Sequence, residues 1–495
     1  ILPPPMTPTS LPGPRPWPVL GTNGNLLSFV LDPLAHVERL FRQYGPIAAL
    51  VRGRSRRIAS PGRDTPAIVF VCGPELNRAL LSDAERFHKT PLSGPLYPEQ
   101  GATERTRPLL RVMTGLFNVN GEEHRERRRL MLPAFHKSRI DQYRDDMVSI
   151  TEAVIERFEL GAVRNIRDDM TELTLRIATK TLFGADMREQ GLSIARSLAS
   201  WMQAFRPAAA LPYDAPWLPY RRFLELSRSI DVQLGELIAE RRRLGSGADV
   251  LSMLLEARDD QGAPLGDDEL VGHTGVLFAA GHETSANALC WTLFLLSQHP
   301  RIVAELREEL ASVLGGEAPR TDQLGSLPLL EGVIKESLRL LPPGPLNHRI
   351  VAQPAELGGF AVPAGSEVIT SVYHTHRDPE LYPEPDRFRP ARWEGFDPGP
   401  YAFSPFGAGS RMCIGSAFAM MELKIVLAIL LQRFRFELDQ DKPLDRVISI
   451  VMAPKPGLFV RVHPGDHEFV PRKGPRRGNV WGMVALNEPR PLSCA

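Results

Sequence analysis

Apolar residues recur at helical spacing through most of this chain. From about Asn120 to Leu324 runs with a period near 3.6 dominate, and another follows from about Pro328 to Leu341. The stretch Asp267 to Gln298 predicts one long helix, about 48 Å from end to end. Asp267, Asp268 and Glu269 favour its start and Pro300 stops it. It is apolar on nearly every face, which predicts central burial. Strand-type runs are fewer. A helix over Pro33–Tyr44 precedes β runs at Ile47–Val51 and Ala67–Val71, and Arg52-Gly53-Arg54-Ser55-Arg56-Arg57 between them reads as a basic, solvated turn. A β-rich patch spans Ala355 to Tyr373, and short strands are expected near Val447–Val462. The ends differ in character. Leu2 to Pro18 is proline-rich and should be extended, and the tail after His463 carries Pro-Arg-Lys-Gly-Pro-Arg-Arg-Gly and reads as flexible and outside the core. The pattern predicts a mainly α fold of the α+β kind. One large helical domain over 19–463 carries small edge β-sheets, with a leader over 1–18 and a basic tail over 464–495.

Composition narrows the function. Of 495 residues, 43% are hydrophobic and 24% charged, the balance of a folded globular chain. The net charge of +1 gives no field for nucleic acid. The longest largely apolar run, Ala288 to Leu296, is nine residues, too short for a bilayer span, so no integral membrane anchor is expected. The first residues, from Ile1, carry neither signal peptide nor anchor. Cys72, Cys290, Cys413 and Cys494 have no zinc or redox-motif spacing, which points to a reducing, cytoplasmic compartment.

Chemistry concentrates near the C-terminus, in Phe406-Gly407-Ala408-Gly409-Ser410-Arg411-Met412-Cys413-Ile414-Gly415. This is F-x-x-G-x-R-x-C-x-G, a glycine-rich loop presenting one cysteine just before a helix-forming run. Gly409 and Gly415 allow turns that a Cβ would block and let backbone approach a flat macrocycle. The helix N-terminus stabilises a thiolate at Cys413, and Arg411 adds positive charge two residues away. Such a thiolate is a good axial ligand for haem iron. A structural cysteine in a tight turn is the bland alternative, and five spaced positions matching together argue against it. The decapeptide closely resembles the haem-binding loop of the cytochrome P-450 family.

Further motifs agree in order and spacing. Ala280-Gly281-His282-Glu283-Thr284-Ser285 places an acid and two hydroxyls in the middle of the long buried helix, where they are costly. Ala280 and Thr284 share a face. Gly281 permits a local widening, which would release the Thr284 hydroxyl from the preceding turn, and Glu283 could bring protons from solvent. The alternative is a kink with threonine back-bonding. The hexapeptide is similar to the family's A-G-x-[DE]-T-[TS] signature, whose acid–alcohol pair delivers protons in dioxygen chemistry. His282 falls at the variable position and reads as a residue near solvent or the groove. Glu336 and Arg339 form E-x-x-R on a helix. Arg392, in a segment that resembles P-E-R-F, would complete a charge triad with them, although Ala391 and Trp393 replace the family's Glu and Phe. His124 and Arg128 resemble W-x-x-x-R with histidine for tryptophan, and with Arg411 and Arg349 they would hold the haem propionates. Arg125, Arg127 and Arg129 then form a basic outer face. Phe406, Gly409 and Ala280 complete the cofactor set.

The resemblance covers about residues 10–463. It implies a soluble monooxygenase with thiolate-ligated haem b, Cys413 as the metal ligand, and Thr284 and Glu283 as catalytic groups. One atom of O2 would enter a small hydrophobic substrate, with electrons from NAD(P)H through a ferredoxin- or flavodoxin-type partner. Pocket walls are expected from Leu92–Leu116, Trp201–Tyr220, Val276, Leu277, Ala280, Gly344, Leu346, Val451 and Met452. Two rival readings are a haem-thiolate isomerase or peroxygenase that needs no electrons, and a haem sensor without turnover. The intact Glu283–Thr284 pair argues against both.

Overall fold

The computed structural model describes residues 10–58, 64–89, 103–185, 187–245, 247–448, 450–465 and 476–486. Its axis is the long apolar helix, which runs from Asp267 to Ser297. The Gly266 N–H at its start donates to the Glu269 carboxylate at 2.8 Å, and three acidic residues complement the positive end of its dipole. Nearly every side chain from Ser285 to Ser297 is buried. Helices Ile166–Phe183, Pro219–Leu244, Pro328–Leu340 and Ser416–Arg433 all pack against it. Gly272 shows how closely. A Cβ there would sit 2.3 Å from the Thr114 backbone, so only glycine allows this contact.

A five-stranded sheet flanks the helices, in the order Ile47–Arg56, Asp64–Val71, Glu367–Ser371, Leu346–Val351 and Phe87–His88. The first two strands form an antiparallel hairpin, and the second pairs in parallel with Glu367–Ser371, Ile68 opposite Glu367. The basic run Arg52–Arg57 is not a simple turn: the first strand continues through it to Arg56. Its arginines are engaged at the edge. Arg52 donates to the carbonyls of Leu11 and Pro14, and Arg54 pairs with Asp64 at 2.6 Å. With polar side chains and a register irregularity between Arg52 and Ser55, this half of the strand has no apolar alternation to announce it. Of the proline-rich leader, the described part lies along the same strand, with the Pro12 carbonyl accepting from Ala49 N–H at 2.7 Å.

The tail also departs from its reading. Residues 476–486 pack back on the core rather than lying outside it. Val480 is fully buried, Trp481 meets Phe294 edge to face at 5.6 Å, and Ala485 N–H donates to the Asp386 carbonyl. The apolar residues Val480, Trp481, Met483 and Val484, beyond the basic stretch, supply the driving force.

Glu336 and Arg339, both fully buried, make two parallel hydrogen bonds of 2.9 Å. Arg392 Nε reaches Glu336 at 3.1 Å and Trp393 Nε1 does the same on the other oxygen. Trp393 thus adds an indole donor that a phenylalanine would lack. The rest of the Arg339 fork donates to the carbonyls of His376, Pro385 and Arg387. His376 in turn accepts from Ser404 N–H at 3.0 Å, at the entrance to the cysteine loop. Glu336→Gln leaves Arg339 and Arg392 buried without a counter-charge. It should cost about 3–5 kcal/mol in denaturant unfolding, whereas Trp393→Phe should cost only about 1 kcal/mol.

Candidate active site

The cysteine loop is held by its own backbone. Gly407 N–H donates to Ser404, Met412 N–H to Gly409, and Cys413 N–H to Phe406 at 2.8 Å. Gly409 has φ +70°, and a Cβ there would collide with the Leu81 carbonyl. Its need is therefore contact with the helix Pro74–Ser82, not only approach to a macrocycle. Gly415 has an ordinary φ of −92°, and a Cβ would meet only Phe135 at 3.8 Å, so no blocked turn explains it. Its N–H does bond the Cys413 sulfur. Burial pushes the Cys413 thiol up, while the Gly415 N–H and Arg128 pull it down. Arg411 does not turn to the sulfur. It donates to the Leu116 and Val119 carbonyls and to Asn120 Oδ1.

Arg128 and His124 share the helix Gly121–Met131, and Arg349 lies in the strand Leu346–Val351. The fold brings them together with Arg411 and with two residues the sequence reading missed, Lys89 and His348. None has a carboxylate partner among the described residues. Two asparagines stand in. Asn347 Oδ1 accepts from Lys89 Nζ at 3.2 Å and from Arg349 at 2.7 Å, and Asn120 Oδ1 accepts from Arg411 at 2.7 Å. Burial and neighbouring like charge together depress five of the six, and burial alone lowers Arg128. Lys89 is driven well below its ordinary value by burial and by Arg349 and Arg411, and His348 likewise by burial, Lys89 and Arg349. Burial and Arg411 bring Arg349 down to about 10, burial and Arg128 bring Arg411 to about 10, and His124 falls to about 4 through burial and Arg411, Arg128 and Arg349. Such a cluster calls for anions, and the two propionates of a haem fit it.

On the central helix Thr284 is half-buried and Glu283 exposed. No widening occurs at Gly281. The helix is regular there, and a Cβ on Gly281 would meet Ala178 at an ordinary contact distance of 3.7 Å, so close packing does not require the glycine. The Thr284 hydroxyl is not released from the preceding turn but donates to the Ala280 carbonyl at 2.8 Å. His282 is buried rather than near solvent, its Nδ1 on the Phe278 carbonyl at 2.8 Å and its ring against Phe278.

The expected pocket walls divide. Val276 meets Gly115 closely, and Ala280, Gly344 and Leu346 are half-buried. A Cβ on Gly344 would find open space. Val451 is nearly buried. Met452 is fully buried in the core around Trp291, whose indole bonds its carbonyl, so its side chain lines no pocket. Leu277 belongs to the apolar cluster with helices Ile166–Phe183 and Pro219–Leu244. Trp201 is buried, stacked on Phe223 at 4.8 Å and bonded to Ser227, and so faces a neighbouring helix. The segment 92–102 lies outside the described residues. The basic outer face is also largely offset. Arg125 pairs with Glu122, Arg127 with Glu269 and Arg129 with Asp260.

The family profile described as cytochrome P-450 matches residues 11–461. A cyclooctat-9-en-7-ol 5-monooxygenase of Streptomyces melanosporofaciens is 33% identical, over 87% of this chain and 93% of the relative. Pentalenene oxygenase of Streptomyces avermitilis is 32% identical, over 79% and 87%. A solved cyanobacterial structure with retinoic acid bound superposes with a TM-score of 0.77 at 27% identity, covering 92% of this chain and 100% of the other.

The charge cluster makes a two-sided prediction. Lys89→Met removes a cation from an uncompensated set, so the haem-free protein should melt about 2 °C or more higher. The same change removes an anion donor, so haem should be lost roughly ten-fold faster to an acceptor protein. A Lys89→Met protein that is less stable without haem would refute the cluster's electrostatics.

Proposed function

Because the chain belongs to the cytochrome P-450 family, we propose that the Cys413 loop and the adjoining cations hold the haem of this monooxygenase, which oxidises an apolar, ring-containing substrate. The enzyme is a haem-thiolate monooxygenase: one atom of O2 enters the organic substrate, the other leaves as water, and reduced nicotinamide supplies two electrons. When bound, the haem supplies the iron centre that activates dioxygen, and a cysteinate ligand favours O–O cleavage. The observation that carries the residue assignment is the gathering of Lys89, His124, Arg128, Arg349 and Arg411 with no carboxylate partner among the described residues.

In this reading Cys413 is the metal ligand, with the Gly415 N–H and Arg128 pulling against the burial that raises its thiol. His124, Arg128, Arg349 and Arg411 bind the propionates, joined by Lys89. Phe406, Gly409 and Ala280 flank the macrocycle. Glu283, exposed to water, collects protons, and the Thr284 hydroxyl passes them on after exchanging its bond to the Ala280 carbonyl for one to a water. Val276, Ala280, Gly344, Leu346 and Val451 form the substrate wall. Their apolar character suits a hydrocarbon-rich ligand, and the substrates for which two relatives are named, a cyclic alkenol and pentalenene, support the class. A ferredoxin- or flavodoxin-type protein would deliver electrons at the helix Gly121–Met131, with weak steering because three of its arginines are already paired. No helix among the described residues is long and apolar enough to cross a membrane. The unpaired thiols Cys72, Cys290 and Cys413 favour a cytoplasmic setting.

The class is tested by a spin-state screen: cyclic alkenes and alcohols should shift the haem from low to high spin, and linear fatty acids of equal carbon number should not. The reverse ranking overturns the substrate assignment. The reduced carbon monoxide complex should show the red-shifted Soret band of thiolate ligation. Cys413→Ala should abolish it, and Cys290→Ala should retain it.

Thr284→Ala should keep haem content and that band while product per nicotinamide falls and hydrogen peroxide rises. General acid–base steps of this kind carry ~10²–10⁴ in rate, with water as a partial substitute. Unchanged coupling in Thr284→Ala would assign the hydroxyl to helix structure alone.

A further inference from the structure

The strands Asp445–Ile448 and Met452–Lys455 pair as a small hairpin, and Val451 of the substrate wall immediately precedes the second of them. Two strands alone are marginal, so their bracing matters. The inner strand is held by the core. Met452 N–H donates to the Pro343 carbonyl at 2.8 Å, next to Gly344 of the same wall, and the Met452 carbonyl accepts from Trp291. The outer strand has no third strand beside it among the described residues. Its far side is taken by the C-terminal segment Arg477–Ala485, which lies beyond residue 461, where the family match ends. Leu444 N–H donates to the Arg477 carbonyl at 2.9 Å, Arg446 N–H to Asn479 Oδ1 at 2.8 Å, and Asn479 N–H to Asp445 Oδ1 at 2.8 Å. Gly478, at φ +110°, permits the approach, since a Cβ there would collide with the Leu444 carbonyl.

The same segment then crosses to the stretch that completes the charge triad. Arg377 donates to the Met483 carbonyl at 3.1 Å and to the Leu340 carbonyl at 2.7 Å, and Ala485 N–H donates to the Asp386 carbonyl at 2.8 Å. The carbonyls on either side of Asp386, those of Pro385 and Arg387, accept from Arg339. Successive carbonyls thus turn alternately to the triad and to the C-terminal segment. Val480, Met483 and Val484 are buried and anchor the segment between its two ends.

We propose that Arg477–Ala485 is a positioning strap: it ties the outer strand of the Val451 hairpin to the triad stretch and so sets how closely that wall closes on a large ligand. A hairpin held along one strand can rock about that strand. Bonds from its other strand to a separate body remove the rocking, and a wall fixed in advance loses less freedom when a ligand arrives. The strap acts through the hairpin and touches neither haem nor substrate. This rests on the substrate-wall reading of Val451.

The test uses the haem-loaded full chain and a pair of azole probes. Imidazole is small enough to bind the iron without reaching the walls, whereas clotrimazole carries bulky aryl rings that press on them. Asn479→Ala, at an exposed side chain, and Ala485→Pro, which removes an N–H, each delete one bond at one end of the strap. Each should lower the clotrimazole-to-imidazole affinity ratio by up to about five-fold, with haem content and the carbon monoxide Soret band unchanged. Amide exchange across Asp445–Lys455 should quicken by about the same factor. An unchanged ratio in Asn479→Ala overturns the proposal. So does an effect of Asn479→Ala that Ala485→Pro does not share, because a strap acts through both ends. Haem loss with an unchanged ratio would make the segment a fold element only. Should Ala485→Pro not fold, Asn479→Ala still decides. Val451→Ala separates the proposal from the reading beneath it, and should lower the same ratio. If it does not, the wall assignment fails and takes the proposal with it. If Val451→Ala lowers the ratio and Asn479→Ala does not, the strap alone is refuted.

Discussion

The buried Glu336–Arg339 pair is the constraint on which the rest depends. Two ions without exposure are tolerable only when every lone pair and N–H is used, and here they are: Arg392, Trp393 and the Arg389 N–H complete the carboxylate, and three carbonyls complete the guanidinium. Those partners all come from the irregular stretch 376–393, which has little regular secondary structure to hold it. The pair therefore substitutes for a ladder of backbone bonds. Through His376 and Ser404 it also fixes where the cysteine loop starts. A side-chain pair on one helix thus sets the geometry of a loop more than sixty residues later.

At the site itself, electrostatics is arranged the opposite way. The triad is closed, and the Lys89–His124–Arg128–Arg349–Arg411 set is open. Carboxyamide oxygens of Asn120 and Asn347 orient these cations without neutralising them. Orientation without neutralisation is what a site for a dianionic cofactor requires, since a resident carboxylate would compete with the ligand for the same donors. On the proposed assignment, the empty state would be the less stable one and the loaded state would gain in affinity.

How far the sequence could be read followed from how local each signal is. The cysteine loop, the central helix to within a residue of its end, and E-x-x-R lie in short windows with strong steric or periodic requirements. Lys89 and His348 carry no such window. Their meaning arises only when residues about 260 apart in sequence meet at Asn347. The strand through Arg56 was missed because its charged side chains satisfy an edge rather than a core, and edge strands need no alternation. Met452 and Trp201 were assigned to the pocket by position along the chain, but side-chain direction sends both into neighbouring core. His282 was misplaced by the same ambiguity.

The parallel pairing of Asp64–Val71 with Glu367–Ser371 has a consequence for how the chain is made. The N-terminal hairpin leaves the ribosome with one long edge unpaired, and its partner is still untranslated. At 5–20 residues per second the gap lasts ~15–60 s. During that interval Ile68, Val69 and Phe70 present an apolar ribbon that any nascent neighbour could extend. The sheet that shapes one wall of this enzyme is thus an obligation on the cell's chaperones, and expression yield should track how well that interval is guarded more than the stability of the finished fold.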